Sequence, residues 1–293
     1  MMNILKGSGV ALITPFTNSG EVDFDSLGQL VNDQLSAGTD YLVVLGTTAE
    51  TATLTAKEKQ EIVNFITEIV SGKIPIVVGV GGNNTQAAIN DIESMDLSKA
   101  DAILSVVPYY NKPTQEGIYQ HFMAIANNSP LPIVLYNIPG RTGINMSADT
   151  TVRLAKASDK FIATKEASGN FAEISKILRD RPNGFSVISG DDGSIVPLAS
   201  IGGDGVISVA ANVIPEGIKR LTDACLSGNY ALASKLHLEY LHLFEKLFTE
   251  GNPGGIKAAL NSINKVENSF RLPMTPVSEK TYNEIAIEVK KLM

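Results

Sequence analysis

Short, continuously apolar runs alternate with longer segments of helical period between residues 10 and 226. The runs are VALIT (10–14), YLVVLG (41–46), PIVVGV (75–80), AILSVV (102–107), PIVLY (132–136), FIATK (161–165), FSVIS (185–189) and GVISV (205–209). Unbroken apolar runs, rather than alternating ones, predict strands covered on both faces. The segments between them carry helix signals. In 55–71, Ile62, Phe65, Ile66, Ile69 and Val70 make one stripe, and Thr55 with Glu58 gives a capping box. Asn170 with Glu173 gives a similar start before Ile174, Ile177 and Leu178. Eight strand–helix units predict an α/β fold, a closed (β/α)8 barrel over residues 1–226 with Pro215–Leu226 as the eighth helix. Residues 227–293 predict a C-terminal helical domain, with helices at 230–248, 253–263 and 278–292 separated by Gly-Asn and Pro punctuation.

The strand ends carry the chemistry. Lys165 closes the sixth run and Tyr136 the fifth. Reactive side chains at the ends of successive strands are how a parallel barrel builds an active site. Alternation would put Phe161, Ala163 and Lys165 on one face and Ile162 and Thr164 on the other. Position alone leaves Lys165 divided between an inward amine and a solvent-seeking side chain. A neighbouring phenol favours the first reading, since Schiff-base chemistry needs an unprotonated amine and a group that moves protons. The Gly46-Thr47-Thr48-Ala49-Glu50 turn after the second strand offers hydroxyls and backbone amides to a carboxylate, or merely caps a turn. Arg141 lies in NIPGRTG, which reads as a loop, and a guanidinium there can clamp a carboxylate. Tyr109 and Tyr110 on another loop point to a site or an interface.

Composition narrows the partners. The 293 residues are 44% hydrophobic, enough for one large core, and carry 24 basic against 31 acidic side chains, a net charge of −7. That balance argues against nucleic acid. The single Cys225 precludes an internal disulfide and fits a reducing compartment. It reads as a small core residue, having no basic neighbour. No apolar stretch is long enough for a membrane span and MMNILKGSG carries no signal-peptide pattern, so a cytoplasmic protein without membrane contact is expected. Cofactor motifs fail. GVGGNN (79–84) has Asn84 where a dinucleotide loop has its third glycine. Asp191 and Asp192 read as helix caps, and His121, His237 and His242 lack metal spacing. No metal or organic cofactor is expected.

GTTAETATL (46–54), PYYNKPTQEG (108–117), YNIPGRTG (136–143) and KEASG (165–169) combine into a specific pattern. Along its whole length the chain resembles the pyruvate-dependent class I aldolases and lyases that include N-acetylneuraminate lyase. Arg141 and the PYYNKPT loop resemble one branch of that family, which condenses pyruvate with L-aspartate 4-semialdehyde on the diaminopimelate route to lysine. The resemblance implies a Schiff base between Lys165 and pyruvate. It implies a proton relay of Tyr136 and Thr48, completed by Tyr110 from a neighbouring subunit. Thr47 and Thr48 would hold the pyruvate carboxylate, Arg141 would bind the semialdehyde carboxylate, and Gly190 and Ile207 would line the pyruvate pocket. No cofactor is implied, and the assembly would be a homotetramer of tight dimers.

Lysine-sensitive members of the family bind lysine at the tight-dimer interface. Asn83 and Tyr109 of that site are retained, but Ala56 and Lys59 stand where histidines are frequent and Ala87 where a glutamate is frequent. Weak or absent feedback inhibition is therefore expected. Ala49 stands where glycine is usual. Two other readings remain open: a pyruvate aldolase acting on N-acetylneuraminate or keto-deoxy-sugar acids, and a barrel that binds a keto acid without turnover.

Overall fold

The computed structural model describes residues 5–293. Eight parallel strands close into a barrel in sequence order: β1 Gly7–Ala11, β2 Tyr41–Val44, β3 Ile76–Gly79, β4 Ala102–Val106, β5 Ile133–Asn137, β6 Phe161–Glu166, β7 Ser186–Ser189 and β8 Gly205–Ser208. β1 pairs with β8, with Gly9 opposite Ile207, and so seals the ring. The architecture is a (β/α)8 barrel followed by helices Tyr230–Phe248, Gly254–Ser262 and Glu279–Leu292.

Two strands differ from the hydrophobic pattern in instructive ways. β1 runs through the glycine-rich GSGVA rather than VALIT. A Cβ at Gly9 would lie 2.1 Å from the ring of Tyr41, so glycine is what lets Tyr41 fill the barrel floor. In β6 the pairing with β5 shifts between Ile133 and Val134, and Ile162 has no opposite residue. A bulge turns the side chains before it to the other face. Phe161 therefore packs outward against the helices, whereas Ala163 lies in the barrel interior with Val134, Tyr136, Ile188 and Ile207. The expectation that Phe161 shares a face with Lys165 fails for this reason. Without the bulge, strict alternation from an outward Phe161 would turn Lys165 outward too, so the bulge is what brings Lys165 into the barrel interior.

The helix between β2 and β3, Ala56–Val70, starts with the capping box Thr55–Glu58. It buries Ile62, Val63, Ile66 and Val70 against the sheet. Helix Phe171–Asp180 is capped by Asn170, whose side chain accepts from the Glu173 amide. Asn84, in the failed dinucleotide pattern, caps helix Thr85–Ser94 by accepting from the amides of Gln86 and Ala87. NIPGRTG is not simply a loop. Pro139–Thr142 forms one helical turn, with proline at its start and left-handed Gly143 at its end. Those two residues are the ordinary start and stop of a helix, here compressed into four residues. Cys225 is buried, and burial pushes its thiol up to about 11.

Candidate active site

Lys165 and Tyr136 sit directly opposite one another on β6 and β5. Both are buried, and the Lys165 Nζ lies 4.4 Å from the centre of the Tyr136 ring. Burial drives the lysine down to about 8, opposed by the nearby carboxylate of Asp192 and assisted by Arg141. The ammonium form loses its hydration in this surrounding, so the neutral amine gains ground. Burial raises the Tyr136 phenol, while a side-chain hydrogen bond with Thr47 and the charge of Arg141 pull it back.

The Thr47 contact changes one expectation. Thr48 is the expected relay partner of Tyr136, and the hydroxyl whose hydrogen bonding acts on the phenol is that of Thr47. Thr48 is turned the other way, and its Oγ1 accepts from the Asn252 side chain at 2.9 Å. The cause is local: Thr47–Ala49 is a single 3-10 turn, which sends successive side chains in different directions. Ala49 lies inside this turn with a negative φ, so alanine costs nothing where glycine is usual. The left-handed residues are those on either side, Leu45 and Glu50.

Arg141 lies on the helical turn after β5, and its Nη2 donates to the Asn252 carbonyl at 3.1 Å. Gly190 follows β7, and its amide donates to the Glu166 carbonyl. A Cβ at Gly190 would stand 3.0 Å from the Lys165 Cε, so glycine leaves the space through which the lysine stem passes. Ile207 is fully buried in the barrel interior. A cavity of about 630 Å³ opens above, lined by Thr47, Tyr136, Ile138 and Arg141. Lys59, Asn83, Ala87 and Tyr109 line the same cavity, whereas Ala56 is exposed on the helix start and does not. The expected effector positions are thus continuous with the substrate end. Tyr110 stands apart: it is 87% exposed, on a backbone with φ of 71°.

Several contributors were not foreseen. Asp192, expected to cap its own helix, instead accepts from Ser208 and from the amides of Val209 and Ala210 after β8. Its side chain is buried, which raises its carboxyl to about 6. Glu166, the neighbour of Lys165, faces outward and accepts from Asn137 at 2.9 Å, with burial raising it to about 7. Asn137 also accepts from the Met146 amide, tying the Arg141 segment to β6. Asn252 belongs to a turn more than 200 residues from Thr48, and no local pattern marks it. Among the described residues no cluster of three metal-ligating side chains occurs.

A buried strand-end amine of lowered basicity, facing a phenol beneath a cavity with an arginine on its wall, is an arrangement suited to Schiff-base chemistry in a (β/α)8 barrel. The chain belongs to the Dihydrodipicolinate synthetase family, whose model matches residues 4–292. It is 52% identical over 288 residues to the 4-hydroxy-tetrahydrodipicolinate synthase of Parabacteroides distasonis, covering 98% of this chain and 97% of that one. The dihydrodipicolinate synthase structure from Aquifex aeolicus matches with a TM-score of 0.95 at 41% identity, covering 98% of both chains. The chloride-inhibited enzyme of Acinetobacter baumannii, solved in complex with pyruvate, matches with a TM-score of 0.94 at 38% identity, covering 97% of this chain and 98% of that one.

Proposed function

We infer that this chain is a lyase catalysing the 4-hydroxy-tetrahydrodipicolinate synthase reaction, the condensation of pyruvate with L-aspartate 4-semialdehyde. The observation that carries this reading is the pairing of a buried Lys165 with Tyr136 across adjacent strands. The neutral Lys165 amine attacks the pyruvate ketone, and loss of water leaves an iminium. The iminium is an electron sink: a methyl proton leaves and an enamine forms. The enamine carbon attacks the aldehyde of the second substrate. Its amine then attacks the former ketone carbon, displaces Lys165 and closes the ring.

Tyr136 exchanges the protons of these steps, and its contact with Thr47 makes Thr47 the next member of the relay. Thr47, Thr48 and the amides of their turn hold the pyruvate carboxylate, with Gly190 and Ile207 lining the pyruvate pocket. Arg141 binds the carboxylate of the semialdehyde. Tyr110 is exposed where a protomer stands alone, which suits a residue that completes a neighbour's relay. The assembly proposed is a homotetramer of tight dimers in the cytoplasm. No helix among the described residues is long and apolar enough to cross a membrane.

Borohydride reduction in the presence of pyruvate tests the reading. A reduced pyruvate adduct is expected on Lys165 by mass spectrometry, and its absence would refute Schiff-base catalysis. Turnover of aspartate 4-semialdehyde, compared with cleavage of N-acetylneuraminate and keto-deoxy-sugar acids, separates this reaction from its relatives.

A further inference from the structure

Lys257 is completely buried, in helix Gly254–Ser262, and its Nζ donates to the buried carboxylate of Glu50. The two residues are 207 positions apart. The same amine donates to the Ser269 carbonyl at 3.0 Å and lies over the rings of Phe16 and Phe270 at 4.2 and 4.9 Å. The second Glu50 oxygen accepts from the Arg271 amide at 3.3 Å. Every strong partner of this pair is therefore inside the protein.

Stability does not explain such a pair. Both ions lose their hydration on burial, and well-packed apolar side chains of similar volume usually serve as well or better. Its place is more informative. Glu50 closes the turn that carries Thr47 and Thr48, with φ 51° and ψ 35°. Glycine adopts that left-handed conformation freely, whereas a glutamate there is strained. The side chain must compensate, and what it does is reach Lys257. Asn252, five residues before Lys257, holds the Thr48 hydroxyl itself. One C-terminal segment thus grips the threonine turn at both its middle and its end.

We propose that Glu50 and Lys257 are positioning residues: their buried ion pair fixes the threonine turn in the geometry that binds pyruvate, making the C-terminal helices part of the substrate seat. This rests on the reading of Thr47 and Thr48 as pyruvate-binding. Glu50 lies at the edge of the cavity, but the contacts of the pair are with Ser269, Arg271, Phe16 and Phe270 and not with Lys165, so its loss acts through the turn.

The test compares wild type with Glu50→Gln, Lys257→Met and the double variant, following thermal unfolding, pyruvate KM, kcat and borohydride trapping. Each single variant leaves one buried group without its partner and melts below wild type. The double variant is expected to regain most of the lost melting temperature. Its pyruvate KM is expected to stay at least about tenfold above wild type, with trapping on Lys165 intact at saturating pyruvate. A double variant with wild-type KM and kcat would show the pair to be structural only and overturn the proposal. So would loss of trapping at saturating pyruvate, which would place the fault at the nucleophile. Should the double variant not fold, Glu50→Asp keeps the charge and shortens the reach by one methylene. It is expected to raise pyruvate KM, and an unchanged KM overturns the proposal. A wild-type protein that traps no pyruvate refutes the functional reading itself and takes this proposal with it.

Discussion

Lys165 is subject to opposing influences whose balance sets its chemistry. Burial favours the neutral amine and Asp192 favours the ammonium form, and the outcome is a lysine near 8. At pH 7 roughly one amine in ten is then neutral, against a few in ten thousand for an ordinary lysine. The rate of pyruvate adduct formation at subsaturating pyruvate should rise about tenfold per pH unit below 8 and level off above it. A stopped-flow pH profile that keeps climbing beyond pH 9 would contradict this. Gly190 sets the second residue-scale condition. Alanine there would put a methyl 2.8 Å from the Ala167 Cβ and 3.0 Å from the Lys165 Cε. Overpacking of that kind destabilises by about 1–3 kcal/mol. Displacement of the amine should lower kcat/KM by about a hundredfold. Chemical denaturation and steady-state kinetics together check both effects.

At the scale of elements, the turn after β2 is held at its far end by helix Ala56–Val70 and the segment around Arg271. Thr55 caps that helix, and Glu58 reaches back to its amide. Arg271 donates to Glu58 and to the carbonyls of Gly20 and Thr53, so the C-terminal region also anchors this helix start. Thr55→Ala should cost about 1 kcal/mol in urea unfolding, the usual value of a lost cap. The Arg271 hydrogen bond holds the Glu58 carboxyl down to about 2, from an ordinary 4.5. A depressed carboxyl stabilises the fold above its unfolded value, and that contribution is lost as pH falls through the folded value. The stability gap between wild type and Glu58→Gln should therefore be full at pH 7 and close as pH falls from about 4.5 toward 2. Unfolding curves across that range measure it.

For the whole molecule, one cavity joins the substrate end to the expected effector positions Lys59, Asn83, Ala87 and Tyr109. Lys59 and Arg141 both stand on its wall, and Glu50 is already engaged by Lys257. A cationic amino acid entering there meets like charge at Lys59 and Arg141, offset in part by Asp91 on the same wall, and Ala87 supplies no carboxylate for its amine. Millimolar L-lysine should leave the initial rate essentially unchanged, and half-inhibition in that range would contradict the reading. The same view of the molecule changes the standing of the C-terminal helices. They read along the chain as an appendage, yet Asn252, Lys257 and Arg271 contact the threonine turn, the Arg141 turn and the helix start.

The periodicity of apolar runs was enough to find eight strands, because strands buried on both faces are largely apolar, although β1 lies three residues before its run, where Gly9 makes room for Tyr41. It also marked Lys165 and Tyr136, since a strand end is where such a run admits a reactive side chain. Caps at Thr55 and Asn170 were legible because their signal spans three residues. Pairings over long separations were not. Lys257 reads locally as one lysine in a short helix, and Glu50 as one acid in a turn. Only packing of the C-terminal helices on the closed barrel brings them together across 207 residues. The choice between Thr47 and Thr48 was likewise invisible, because adjacent threonines have the same chemistry and only the turn geometry assigns each a direction. Local chemistry determined which residues can react; the tertiary structure decided which partners hold them, because desolvation and distance exist only once the chain has closed.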